Sequence, residues 1–126
     1  MRIHHAALRV RDLEASRAFY ERWFGATSGD IYRNPAKGYA SYFLRFPGGA
    51  ADLELQVFAA VEFIQPDPLS HHLALSLGSP SEVDVLAARL LEAGVPILDG
   101  PRRTGDGYYE AAFLDPDGHR LEVTAI

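Results

Sequence analysis

Apolar and polar positions alternate from Ile3 to Val10, placing Ala6, Leu8 and Val10 on one face of a strand and His5, Ala7 and Arg9 on the other. The period then changes. Asp12 is suited to cap a helix, Leu13, Ser16, Tyr20 and Trp23 recur on one helical face, and Gly25 closes it. Turn-rich sequence follows through Asn34-Pro35 and Lys37-Gly38, with one short strand expected near Thr27 to Tyr32. Tyr39 to Phe46 reads as a strand, Pro47-Gly48-Gly49 as a turn, and Leu53 to Phe58 as another strand.

Ala59 to Ser70, with Pro66 and Pro68, reads as a linker, and the same order of elements begins again after it. His72 to Leu77 is a predicted strand. Ser79-Pro80-Ser81-Glu82 is a capping box with proline at the first helical position, and Val83, Leu86, Ala87 and Leu90 form the apolar stripe that Gly94 ends. Pro96 to Leu98 is a short strand and Arg102 to Tyr109 a glycine-containing loop. Glu110 to Leu114 is a strand, Asp115-Pro116-Asp117-Gly118 a turn, and Arg120 to Thr124 the last strand. Each half reads β-α-β-β-β. The expectation is one α+β domain over residues 1–126, with module 1 at about 1–60, a linker at about 61–70 and module 2 at about 71–126.

The repeat extends to individual residues. His4-His5-Ala6-Ala7-Leu8-Arg9-Val10 returns as His71-His72-Leu73-Ala74-Leu75-Ser76-Leu77, and Leu53-Glu54-Leu55 as Leu121-Glu122-Val123. His5 and Glu54 are 49 positions apart, His72 and Glu122 are 50. Strand parity puts all four on the face opposite the aliphatic residues, so helices cover one side of the sheet and a polar cleft lies on the other. Two neutral imidazole nitrogens and two anionic carboxylate oxygens make a good ligand set for a divalent metal. A duplicated fold without metal, its glutamates merely solvated, is the competing reading. His4 and His71 have the opposite parity and His119 sits in a turn, so these three read as ordinary hydrogen-bonding residues.

Bulk composition narrows the classes. The chain has 126 residues and a net charge of -5, with no basic run or basic helix, which argues against nucleic acid or anionic membrane as partners. No apolar stretch approaches the roughly 20 residues that span a bilayer. The amino terminus leads straight into a strand with no visible signal peptide, so a cytoplasmic protein is expected. Zero cysteines exclude disulfides, thiolate ligands and a cysteine nucleophile.

His5-x-x-Leu8-x-Val10-x-Asp12-Leu13, Ser16-x-x-Phe19-Tyr20 with Phe24-Gly25, His72-x-Ala74-Leu75-Ser76, and Asp115-Pro116-Asp117-Gly118-x-x-Leu121-Glu122 together resemble the vicinal oxygen chelate superfamily. That superfamily includes glyoxalase I, bleomycin resistance proteins, extradiol dioxygenases and fosfomycin-resistance proteins, and the resemblance covers nearly the whole chain. It implies two tandem βαβββ modules curling into a U-shaped mixed sheet around a metal, helices outermost. Bacterial glyoxalase I uses His, Glu, His, Glu at these strand positions, which matches His5, Glu54, His72 and Glu122. Extradiol dioxygenases and fosfomycin thiol transferases rely on two histidines and one glutamate.

The resemblance therefore implies a glyoxalase I-like lyase/isomerase with nickel, zinc, cobalt or manganese at the site. Glu122 is assigned the base that moves a carbon-bound proton, with Glu54 as ligand and partner on the opposite side. Arg9 matches an arginine that bacterial glyoxalase I places near glutathione. The segment from Arg103 to Tyr109 resembles that of small glyoxalase-related proteins, and Tyr109 is assigned with Arg9 to substrate binding. One departure stands out: glyoxalase I continues after the first glutamate with a threonine and an asparagine, whereas Glu54 is followed by Leu55-Gln56-Val57-Phe58-Ala59-Ala60. The metal chemistry thus carries over further than glutathione does. A small-molecule substrate and a homodimer are implied, with Tyr39, Tyr42 and Phe63 as aromatics for either a subunit contact or the core. A small-molecule- or antibiotic-sequestering protein and an iron-dependent ring-cleaving dioxygenase are the other readings.

Overall fold

The computed structural model describes residues Met1–Ile126, which fall into two compact units, Met1–Ile64 and Gln65–Ile126. Unit 1 contains strand β1 (His5–Arg9), helix α1 (Leu13–Phe24), and strands β2 (Thr27–Ser28), β3 (Tyr32–Asn34), β4 (Tyr39–Arg45) and β5 (Asp52–Phe58). Unit 2 contains β6 (His72–Ser76), α2 (Pro80–Glu92), β7 (Ile97–Arg103), β8 (Tyr109–Leu114) and β9 (Arg120–Ala125). Two helices and two mixed sheets make an α+β fold of paired βαβββ modules, as the sequence pattern predicts. No helix is long and apolar enough to cross a membrane.

In unit 1 the strand order is β1-β5-β4-β2, with β3 also on β4; β1 runs parallel to β5, and β4 antiparallel to it. Asp12 caps α1 by accepting from the Glu14 and Ala15 amides at 2.9 and 3.0 Å. Gly25 ends it in the left-handed conformation at φ 63°, where a side chain would be strained. Leu13, Ser16 and Tyr20 are buried on the helix face, which packs on β4 and β5, where Leu44, Leu53 and Leu55 are buried. Trp23, expected on that face, is only half-buried. The weakly patterned segment after α1 forms two short strands instead of one, interrupted at Gly29-Asp30-Ile31, and Pro35–Lys37 then makes a 3-10 turn capped by Asn34. Tyr42 belongs to the core, at 7% exposure.

Unit 2 repeats the plan as β6-β9-β8-β7, with β6 parallel to β9. Val83, Leu86, Ala87 and Leu90 of α2 are buried as the stripe predicts, and Ser79 caps the helix. The expected short strand and loop are corrected here. β7 runs on through Asp99-Gly100-Pro101 to Arg103, and Arg102 and Arg103 pair with Glu110 and Tyr109. Two register shifts absorb the irregular residues, so a sequence that reads as a turn remains within the sheet. The Asp115–His119 turn is buried. The Asp115 carboxylate accepts from the amides of Asp117 and His119, both at 2.9 Å. Gln65 Nε2 donates to the Asp117 carbonyl at 2.8 Å and lies where a Cβ on Gly118 would have to go. This turn sets the start of β9, and with it the position of Glu122.

Candidate functional site

Strand register brings each histidine to its glutamate. Ala7 is opposite Glu54 in the β1–β5 pairing, and Ala74 is opposite Glu122 in the β6–β9 pairing. In both modules the histidine precedes that alanine by two positions, on the same face. It therefore reaches diagonally over a single methyl group toward the carboxylate. His5 Nε2 lies 3.7 Å from Glu54 Oε2, and His72 Nε2 lies 3.4 Å from Glu122 Oε2. The imidazoles are exposed, while each glutamate retains only 9% exposure.

Carboxylates so nearly buried require partners, and the two modules supply different ones. Glu54 Oε1 accepts from the Tyr39 hydroxyl, and Glu54 Oε2 from Gln56 Nε2 at 3.4 Å. Burial, then the bond to Glu54, pushes the Tyr39 phenol above its usual pKa. Glu122 Oε1 instead accepts from Arg120 Nε at 2.9 Å. Glu110 is opposite Thr124 on this same face. Desolvation, followed by the charge of Glu122, raises its carboxyl above the ordinary value. One glutamate is thus held by neutral donors and the other by a cation.

His5 is supported from two sides. Its ring meets Phe43 edge-on at 5.2 Å between centroids, and its Nδ1 stands 2.8 Å from His4 Nδ1. With His5 Nδ1 as the donor, the lone pair is left on Nε2, the atom turned toward Glu54. His4, which strand parity sets apart, is therefore a neighbour of the site, because it precedes the strand proper. Phe43 and Tyr39 also make this face more aromatic than its small and polar sequence neighbours imply.

Arg9 lies on the same face as His5, its guanidinium 4.7 Å from the centroid of Phe58. Tyr109 does not share the Glu122 face. Its hydroxyl donates to Asp84 of α2 at 2.7 Å. Strand alternation gives the polar face to Glu110 and sends Tyr109 to the helix side. Tyr39, Glu110 and Arg120 are the site neighbours that sequence reading missed, while alternation places Gln56 with Glu54. Alternation alone would have found Arg120, two positions from Glu122. Tyr39 and Glu110 come from adjacent strands, so only the cross-strand register reveals them.

The donor chemistry suits a divalent ion. Two ligands about 2.1 Å from one metal stand roughly 3.0–3.4 Å apart, and the two couples are at that spacing or a few tenths of an ångström beyond it. Each unit contains one such couple of an imidazole nitrogen and a carboxylate oxygen. Neither unit by itself gathers three such side chains.

A family model described as the Glyoxalase/Bleomycin resistance protein/Dioxygenase superfamily matches residues 2–123, and the chain belongs to that superfamily. It is 32% identical over 120 residues to the metallothiol transferase FosB of Lysinibacillus sphaericus (strain C3-41), covering 95% of this chain and 79% of that protein. It is 29% identical to the lactoylglutathione lyase of Salmonella typhimurium (strain LT2), covering 98% and 91%. The solved structure of the trypanothione-dependent glyoxalase I of Leishmania major superimposes with a TM-score of 0.82 at 27% identity, covering 99% of this chain and 86% of the other.

Proposed function

We propose that the protein is a divalent-metal-dependent lyase/isomerase of the glyoxalase I type, acting on a small molecule as a homodimer. His5, Glu54, His72 and Glu122 are the ligands. The observation that carries this reading is the repeated couple, an imidazole nitrogen and a carboxylate oxygen turned toward each other over Ala7 in one module and over Ala74 in the other. Nickel, zinc, cobalt and manganese all accept two nitrogens and two oxygens. The bound ion would supply Lewis-acid stabilisation of charge developing on adjacent substrate oxygens, worth several kcal/mol.

The chain's own groups move the proton. Arg120 anchors Oε1 of Glu122, and Oε2 on the His72 side would act as the base once it loosens from the ion. A carbon-bound proton within about 3 Å of that oxygen passes to it and is returned to the neighbouring carbon. One carbon is oxidised and its neighbour reduced, so no external oxidant is needed. Tyr39 and Gln56 fix Glu54 on its own strand.

The test is conversion of the hemithioacetal of methylglyoxal and glutathione, followed by thioester absorbance, alongside metal analysis of the purified protein. Stoichiometric metal, loss of turnover on chelation, recovery with nickel, cobalt or zinc, and an inactive but folded Glu122→Gln are the expected results. Metal-free protein with no turnover in any added metal overturns the reading. Full turnover in Glu122→Gln moves the base to Glu54.

The likeness to the metallothiol transferase FosB, together with the missing threonine and asparagine after Glu54, favours thiol transfer as the second reading. A thiol adduct of fosfomycin, detected by mass, with no thioester from the hemithioacetal, would select it.

A further inference from the structure

Glu110 of β8 shares the polar face of unit 2 with Glu122, yet the fold makes no use of it. The side chain is half-buried, and its carboxylate accepts no hydrogen bond and forms no ion pair. The charges that reach it are those of Glu122, Asp106, Arg102 and Arg120. Both arginines are already paired with other carboxylates. Arg102 donates to Asp99 through Nε and Nη2, at 2.9 and 2.6 Å. Arg120 is bonded to Glu122. Each of these ion pairs is neutral by itself, which leaves the charges of Glu110 and Asp106 unbalanced there.

The two modules differ most on the rung of side chains next to the glutamates. In unit 1 that rung is Arg9, Gln56 and Ser41, and in unit 2 it is Ser76, Thr124 and Glu110. The module that has a cation beside Glu54 is thus repeated with an anion beside Glu122. The Thr124 hydroxyl is buried and also lacks a hydrogen-bond partner, so this rung holds two polar groups that the fold leaves unsatisfied. Residues directly opposite on neighbouring strands have Cβ atoms about 4.5–5.5 Å apart, and diagonal ones about 7–8 Å. Glu110 is opposite Thr124 and diagonal to Glu122. A molecule held at Glu122 therefore reaches Glu110 with a short side arm.

We propose that Glu110 selects substrates carrying a protonated amine on a short arm beside the chelating oxygens. An ionised carboxylate only accepts hydrogen bonds, and a bond from an ammonium to it is roughly twice as strong as one between neutral groups. The Thr124 hydroxyl oxygen is the second acceptor on the rung. An anionic arm would instead face Glu110 and Asp106 while both arginines stay paired with Asp99 and Glu122. A divalent ion held by Glu54 and Glu122 does not reverse this, because its charge is matched by those two carboxylates. The proposal rests on the metal reading and names the substrate class for that same site.

The probes are three hydroxamates, whose adjacent oxygens chelate a metal: 3-aminopropanehydroxamate, its methyl isostere butanehydroxamate, and succinate monohydroxamate. Each is titrated calorimetrically at neutral pH into the full chain loaded with nickel. The ammonium compound should bind at least about tenfold tighter than the isostere, and the carboxylate compound should bind weakest. Glu110→Gln should bring the ammonium compound and the isostere within about twofold of each other while leaving the affinity for butanehydroxamate unchanged. Without metal, Glu110→Leu should melt above the parent, because it removes a half-buried charge that nothing in the fold pairs. Equal affinities in the parent, a preference that survives Glu110→Gln, or a Glu110→Leu protein that melts below the parent overturns the proposal. Any of these in protein that takes up nickel leaves the metal reading standing, whereas no nickel uptake and no hydroxamate binding overturns both.

Discussion

His72 reaches Glu122 over Ala74, whose single methyl group leaves the 3.4 Å approach of Nε2 to Oε2 unobstructed. Ala74 is exposed, so a larger residue there costs the fold little. Ala74→Leu should lower metal affinity by at least about tenfold while moving the melting temperature by no more than about 3 °C. A metal titration with parallel thermal melts checks both parts.

The two glutamates should respond differently to loss of their supports. Tyr39→Phe removes the hydroxyl that holds Glu54, and metal affinity should fall about 10- to 100-fold. Arg120→Gln leaves Glu122 without its cation, and kcat should fall at least about tenfold while KM changes less. A Tyr39→Phe protein that binds metal as tightly as the parent would show that its hydroxyl does not position Glu54.

Gly118→Ala forces a Cβ into the space of the Gln65 amide, at a φ of 89° that alanine avoids. The expected cost is about 1–3 kcal/mol in denaturant unfolding. Gln65→Ala alone should cost about 1 kcal/mol for the lost hydrogen bond. The double variant should be less destabilised than the sum of the two, because removing Gln65 makes room for the new methyl.

Tyr42 supplies a pH test away from the candidate site. The hydrogen bond to Glu14, then burial, raises its phenol above the ordinary value near 10. A raised folded-state pKa favours the neutral form, so its contribution is complete below the unfolded-state pKa. That contribution is lost as pH climbs through the folded-state value. The melting-temperature advantage of the parent over Tyr42→Phe should be flat from pH 7 to about 9.5 and then shrink. A difference that grew above pH 10 would reverse the sign assigned here.

Much of this was legible in the chain because strand parity and helix caps act locally. Asp12, Gly25 and Ser79 mark helix ends through their own hydrogen bonds and backbone angles. Alternation places His5, Glu54, His72 and Glu122 on polar faces whatever the neighbouring strands do. Tyr39 beside Glu54 was not legible, because that contact depends on how the turn after Phe46 sets the register of β4 against β5. β7 escaped for a related reason. Gly100-Pro101 breaks the local pattern, and only pairing with β8 carries the strand past it. Tyr109 already belongs to β8, one residue before the point at which local alternation starts that strand.

The parallel pairings of β1 with β5 and β6 with β9 carry a consequence for biosynthesis. In each module the imidazole arrives on the first strand to leave the ribosome and the carboxylate on the last, so neither couple can exist in a partly translated module. A growing chain presents its histidines alone, and the proposed coordination would wait until the final strand slots in.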